Sequence, residues 1–523
     1  MRIKRLKISD YKNIKDVDLS FKSNLITLMV GQNGLGKSNL LEAIALIFRD
    51  LDLIEKEEQW EEWAYEDNQF SFEIWYESKN VLVWVKCWDG VFRVAKDESG
   101  TGENLKIIDF ADFKKDKNLF LPDYILGYYS GENKRIDSYF KTHALKREHA
   151  LKSNNPRDGQ PALGRMFFSQ QNYGELLFFA LWVFKDTEPY KEKIQQLLGR
   201  YLNINLQSTV LIAFNNPPFA KSYPERNADN LLSNIEDSLE RPFWGLTGEI
   251  DQLLNALWNN NSAYATPIAF EDETFDPNKN KNGFVSFNNL DYSILTGDLK
   301  DINTPIYLFD ILEAAYKMDI IYRIRGEINK GGAAITHDFK EFSEGEQQLL
   351  TVLGLIMMAG KDDCLFLLDE PDTHLNPQWQ RNYVNLLNEF NLNGNGTHIM
   401  MATHSPLIVQ AAERADILLY KRGESGNIEI VNNDDLKIHN WRIDQVLASE
   451  YFDFDSTRPP DLDDFMKKRL NIIRKGKLSP KDEIELKLYE NAIGYLPTGE
   501  TMEELKSNVI IKEMADKLKN DQG

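Results

Sequence analysis

The sequence predicts an α/β fold: a mixed, mainly parallel core sheet with an antiparallel β-subsheet, an inserted mostly helical lobe and a C-terminal helical tail. Two observations predict it. Three short apolar runs, Leu25–Val30, Cys364–Asp369 and Thr397–Ala402, are dense enough for buried parallel strands, and each ends in polar residues. Three others, Phe70–Tyr76, Val81–Lys86 and Gly90–Val94, alternate and are divided by turns, which reads as an antiparallel meander.

In chain order, Met1–Ile14 is a charged strand and turn carrying Arg2, Lys4, Arg5 and Lys7, not an apolar leader. The next strand runs into Gly31-Gln32-Asn33-Gly34-Leu35-Gly36-Lys37-Ser38 and then a helix, Asn39–Phe48. This fits G-x-x-x-x-G-K-[ST] in the context its mechanism needs: the glycines turn backbone N–H groups toward phosphates at a helix N-terminus. Lys37 supplies a point charge for the β- and γ-phosphates and Ser38 a hydroxyl for Mg²⁺; Asn33, Gly34, Gly36 and Asn39 complete the nucleotide cradle. The plain alternative is a glycine turn between strand and helix.

The acidic stretch from Glu55 to Asp67, with Trp60 and Trp63, reads as an exposed segment before the meander. Pro122–Ser130 reads as a strand leaving into a turn. Helical patterns fill 171–205, 229–258 and Leu308–Arg325; Asn215–Phe219 is a loop and Asn259–Asn289 surface loops or a small hairpin. No sustained heptads occupy the interval, so no coiled-coil arm is expected there.

Asp369 and Glu370 end the Cys364 strand, at the sheet edge where ligands of parallel sheets lie. Asp369 is placed to hold Mg²⁺ through water and Glu370 to polarise an attacking water; the alternative is an Asp-Glu-Pro turn. Phe342-Ser343-Glu344-Gly345-Glu346-Gln347-Gln348 precedes an apolar helix. Ser343 and the N–H groups near Gly345 cap a helix N-terminus, which favours an anion; the alternative is an ordinary capping box with Glu346. A third strand ends in Thr403-His404-Ser405-Pro406.

In this order the segments resemble those of ABC-type ATPases of the SMC, RecF and overcoming-lysogenisation-defect group. Ser38 and Lys37 fall in Walker A, Ser343, Gly345 and Glu346 in a variant of the L-S-G-G-Q signature, Asp369 and Glu370 in Walker B. His404 matches the switch histidine and Asp372–Pro377 the D-loop, with Asn376 replacing the usual Asp; His374 either reaches a partner site or caps the next helix. No glutamine suits the Q-loop. The resemblance implies an ABC-type P-loop ATPase head using ATP and Mg²⁺, and a homodimer or higher oligomer that sandwiches ATP between one copy's P-loop and the other's signature. The expected divisions are 1–140, an N-terminal ATPase lobe; 141–330, the insert; 331–440, a C-terminal ATPase lobe; and 441–523, a helical docking region.

The late Asp-x-Asp pairs, Asp453–Asp455 and Asp461–Asp463, do not follow buried strands, so no intrinsic nuclease is expected. That architecture is similar to ATPase subunits of Septu-type anti-phage defence systems, including retron-associated ones, which implies a separate nuclease partner of the HNH kind. The alternatives are a RecF-like DNA-repair ATPase and a scaffold with structural ATP. The 523 residues carry a formal net charge of −21, which opposes non-specific nucleic-acid binding. Binding at a local basic stretch, on the first strand or from Lys467 to Lys477, remains open. No run approaches the roughly 18 apolar residues of a membrane span. Cys87 and Cys364 are too few for a disulfide framework or a zinc site, so a cytoplasmic setting is expected.

Overall fold

The computed structural model describes residues 1–523 except 23–24, 62, 64–69, 89, 132–134, 153–163, 170–172, 205–209, 215–248, 260–282, 288–303, 331–332, 338–341, 360–362, 393–395, 424–425, 433–437, 439–440, 453–459, 476, 494–504, 513 and 515–523. Two compact units emerge, Met1–Ile443 and Asp444–Gly523.

The strands are β1 (Arg2–Tyr11), β2 (Ile14–Ser20), β3 (Ile26–Gly31), β4 (Phe72–Ser78), β5 (Val81–Trp88), β6 (Val91–Asp97), β7 (Lys106–Ile108), β8 (Tyr124–Tyr129), β9 (Met166–Ser169), β10 (Val210–Phe214), β11 (Gly283–Phe287), β12 (Ile321–Lys330), β13 (Ala333–His337), β14 (Cys364–Asp369), β15 (Thr397–Ala402), β16 (Ala415–Arg422) and β17 (Ile428–Asn432). The central sheet has the order β17-β16-β3-β15-β14-β8-β9 and is parallel except where β17 pairs with β16. Every residue of β3, β14 and β15 is buried, as strands covered on both faces require. A six-stranded antiparallel sheet, β2-β1-β4-β5-β6-β7, lies beside it. The meander is thus where alternation put it, and the two sheets together form the expected α/β fold.

The helices that matter here are α1 (Lys37–Leu53), α2 (Arg135–Lys152), α3 (Gly174–Val183), α4 (Pro305–Lys317), α5 (Glu344–Met358), α6 (Pro377–Phe390), α7 (Pro406–Ala411), α8 (Pro460–Lys475) and α9 (Pro480–Ile493). α3 is buried on nearly every residue because it packs against both α4 and α5. In the second unit, Phe465 and Ile472 of α8, Leu486 of α9, and Leu505 and Val509 form a small core of their own.

Several expectations need correction. The segment 141–330 is not only helical: β10, β11 and β12 join β13 in a third, antiparallel sheet of order β11-β10-β12-β13, and β9 joins the central one. The helix expected over Leu308–Arg325 stops at Lys317, because Asp319 takes φ 60° and the chain turns into β12. Trp60 and Trp63 are buried rather than exposed. The short helix Glu57–Glu61 turns its acids outward and lays Trp60 against Phe92, Phe110 and Phe113, while Trp63 Nε1 donates to Asp50 Oδ2 at 2.8 Å. The cations of β1 are partly exposed and ion-paired: Lys4 pairs with Glu77 at 3.0 Å, and Arg5 and Lys7 both pair with Asp18. Near the C-terminus Lys468 pairs with Glu485, and Arg469 is buried. In keeping with the expectation that they do not follow a buried strand, Asp461 and Asp463 lie on α8. Asn215–Phe219, Asp453–Asp455 and most of Asn259–Asn289 lie outside the described residues.

α2 and α4 are joined by a buried ion cluster. Arg147 of α2 pairs with Asp310 and Glu313 of α4; Glu313 also accepts the Tyr173 hydroxyl at 2.9 Å and pairs with Lys317 at 2.6 Å. Removing the guanidinium leaves two buried carboxylates short of a partner, so Arg147→Ala should destabilise the first unit by about 3 kcal/mol in urea denaturation. An unchanged midpoint would show that the cluster contributes nothing.

Candidate nucleotide site

The glycine loop leaves β3 where only glycine fits. Gly31 has φ 145°, and a Cβ there would lie 2.4 Å from the Tyr420 carbonyl oxygen of β16. Gly34 (φ 79°) and Gly36 (φ 89°) are left-handed, and Gly36 is the N-cap of α1. Gln32, Asn33 and Gly34 are exposed at the tip while Lys37 is buried behind it. Lys37 Nζ donates to the carbonyls of Gly31 at 2.8 Å and Gln32 at 3.0 Å. Burial brings its pKa down to about 8, against the opposing pull of Glu370 and Asp369. It stays mainly protonated at neutral pH, with carbonyls as partners that a phosphate would outbid.

Asn39 is buried and bonded to the β1–β2 turn. Its Nδ2 donates to Asn13 Oδ1, and Asn13 Nδ2 reaches the Gly34 carbonyl at 3.4 Å, so the β1–β2 turn clasps the loop. A side chain at Gly36 would strike Asn13.

Asp369 reaches the loop through strand register. It pairs with Ala402 of β15, and Ala402 pairs with Met29 of β3. Asp369 therefore ends at the same sheet edge as the glycine loop. Asp369 is 4 % exposed and hydrogen-bonded by the Ser38 side chain; burial raises its pKa to about 6, with nearby Glu370 and Glu42 adding to the rise. A buried carboxylate beside a hydroxyl is a hard oxygen donor pair, and the charge the burial penalises is one a divalent cation relieves, so the residues fit Mg²⁺.

Glu370 adopts φ 51°, a left-handed conformation that costs a non-glycine residue about 1–2 kcal/mol and must be held by its surroundings. Its N–H donates to Ala402 O at 2.9 Å; its carbonyl accepts Thr373 Oγ1 at 3.0 Å. Its carboxylate is half-exposed and lies 3.6 Å from His404 Nε2. Burial and the Lys37 charge lower the His404 pKa to about 4, so the imidazole is neutral at physiological pH.

Ser343, Gly345 and Glu346 sit at the start of α5. Ser343 Oγ accepts the Glu346 N–H at 3.3 Å and Glu346 Oε2 accepts the Ser343 N–H at 2.9 Å, a complete capping box. Both the capping alternative and an exposed Ser343 are thus present together. Gly345 has a packing reason: a Cβ would meet the His374 carbonyl oxygen at 2.6 Å. His374 does not cap the next helix; Asn376 does, accepting the Trp379 N–H at 2.9 Å, while His374 Nδ1 lies 2.8 Å from Glu344 Oε2.

Two further residues were not singled out from sequence. Asp372 is buried, and its Oδ2 accepts the Thr403 hydroxyl at 3.0 Å while Oδ1 has no partner among the described residues. Burial raises its pKa to about 7. Gln348 of α5 donates to the Glu370 carbonyl and accepts the His374 N–H. The second Asp of Asp369-Glu370-Pro371-Asp372 was a visible signal; Gln348 gave none.

A phosphate cradle sharing a parallel-sheet edge with an acid pair and a neutral histidine defines a P-loop nucleoside triphosphatase. The chain belongs to the AAA ATPase domain family, whose model matches residues 1–409. It is 28% identical over 180 residues to the Septu protein PtuA of Bacillus thuringiensis. That match spans 33% of this chain and 40% of the relative, less than half of its length. Similar solved structures include an SMC head bound to the C-winged helix domain of ScpA (12% identity, TM-score 0.35, 83% of this chain and 98% of that one). Another is the SMC head domain from Thermotoga maritima (13% identity, TM-score 0.32, 83% and 100%).

Lys37→Ala should abolish measurable nucleotide binding in equilibrium titration while leaving the unfolding midpoint nearly unchanged; retained affinity would remove Lys37 from the cradle. Asp369 and Asp372 have folded pKa values of about 6 and 7, above the roughly 3.9 of an unfolded Asp. The folded chain then binds more protons between those values, so these groups cost stability as pH rises from about 4 to 7. Asp372→Asn, without nucleotide or metal, should raise stability at pH 8 by about 2 kcal/mol more than it does at pH 4. A variant less stable at pH 8 would contradict that sign.

Proposed function

We propose that this chain binds and hydrolyses ATP with Mg²⁺, closes as a homodimer around two nucleotides, and through its nucleotide state controls a separate effector nuclease in anti-phage defence. The observation that carries the hydrolytic part is the convergence of Lys37, Ser38, Asp369, Glu370 and His404 on one sheet edge. Lys37 leaves its loop carbonyls to hold the terminal phosphates in line. Ser38 and Asp369 would hold Mg²⁺, which neutralises charge on the phosphate oxygens. Glu370 accepts a proton from the attacking water. His404, neutral beside it, offers a hydrogen bond to the phosphoryl oxygens or the water without withdrawing the carboxylate's charge.

Dimerisation is supported by the position of Ser343. It is exposed at the N-terminus of a fifteen-residue helix, so an anion brought by a second copy meets both the helix dipole and the serine. A partner phosphate there competes with Glu346 for the Ser343 donors. The defence role is supported by the relative's printed name, Septu protein PtuA. The ion-paired cations of β1 and the net charge of −21 favour an effector partner over direct coating of DNA.

Glu370→Gln should retain ATP affinity, hydrolyse at least about 100-fold more slowly, and sediment as a dimer at saturating ATP. In that background Ser343→Arg should stay monomeric with nucleotide bound. Parent-like hydrolysis by Glu370→Gln, or a monomer at every ATP concentration, would overturn the corresponding part.

A further inference from the structure

Gln348 sits on the second turn of α5 at 3 % exposure, and its amide is spent on three residues of two other elements. Its Oε1 accepts the His374 N–H at 3.2 Å, its Nε2 points at the Glu370 carbonyl at 3.5 Å, and its side chain hydrogen-bonds with Tyr128 of β8. The same end of α5 is fastened to the same turn twice more. The Gly345 backbone lies so close to the His374 carbonyl that no side chain fits between, and Glu344 pairs with the His374 ring. The turn runs from Glu370 to His374, and Glu370 is the residue held left-handed at φ 51°. One face of Glu370 is fixed by β15 through its N–H; the other is fixed through its carbonyl by Thr373 and Gln348. The carboxylate's direction follows from that backbone conformation.

We propose that Gln348 is a positioning residue. It makes the Ser343 end of α5 and the Glu370–His374 turn one rigid body, so that a phosphate gripped at Ser343 sets the aim of Glu370 in the same chain. This rests on the ATP-sandwich reading above. In that dimer Ser343 meets the nucleotide of the other copy while Glu370 serves its own, and the linkage therefore couples the two sites. Ser343 and Gln348 are five residues apart on one helix, about 7.5 Å along its axis, short enough for the helix to move without bending. Coupling of this kind is reciprocal for binding and appears as cooperative turnover.

The test is Gln348→Met, close in volume but unable to donate, and Gln348→Glu, which keeps an acceptor for His374. Steady-state hydrolysis, equilibrium nucleotide binding and amide hydrogen exchange are measured on the full chain. For Gln348→Met, kcat should fall at least about tenfold with nucleotide Kd within about twofold, and the Hill coefficient of turnover should drop toward one. Combined with Glu370→Gln it should add no further loss, because both act through one carboxylate. Exchange protection at the His374 N–H should fall in Gln348→Met and return in Gln348→Glu. Additive losses with Glu370→Gln, an unchanged kcat, or unchanged His374 protection would overturn the proposal. A parent chain without turnover would defeat the ATPase reading instead, and hydrogen exchange would still decide the linkage.

Discussion

The in-register parallel pairing of β15 with β14 on one side and β3 on the other is the constraint on which the site depends. Ala402 is the hinge of that register. It pairs with Asp369 and with Met29, and its carbonyl takes the Glu370 N–H. Residues far apart in sequence thereby end at one edge. A slip of one residue along β15 would turn alternate side chains to the other face and separate the acids from the glycine loop. Complete burial of the three strands opposes any such slip.

Charge at this edge is deliberately unresolved. Lys37, Asp369 and Asp372 are all buried, and burial disfavours the charged form of each. Among the described residues Lys37 hydrogen-bonds two carbonyls, Asp369 a hydroxyl and Asp372 another hydroxyl. None of the three forms an ideal ion pair with another. Functional sites retain such tension because a ligand can relieve it: phosphate answers the lysine and a divalent cation answers the carboxylate. The second copy and the effector in the proposed function would read that change in local balance.

In the proposed dimer the capping box at Ser343 would serve two states. In the free chain Glu346 completes the helix end and supplies the negative charge that the dipole favours. An incoming phosphate offers the same charge with more acceptors. In the proposed dimer Glu346 would thus preserve helix capping without closing the anion site. Gly345 and Gln348 meanwhile belong to the contact between α5 and the Glu370 turn, which only became visible once the helix was docked.

Sequence by itself determined the glycine loop, the buried strands with acids and histidine at their ends, and the antiparallel meander. Each of these is set by local physics: left-handed glycines, continuous apolar runs, or alternation of period two. Tertiary structure alone decided that Asn39 faces Asn13 and that Trp60 and Trp63 plug a sheet face rather than meet water. It also decided that Lys4, Arg5 and Lys7 find acids across the sheet, and that residues 141–330 contribute strands as well as helices. A side chain's partner depends on which element packs over it, and local periodicity says nothing about that. The same reason hid Gln348 and the unpartnered oxygen of Asp372: a buried polar group announces its role only through the groups that surround it.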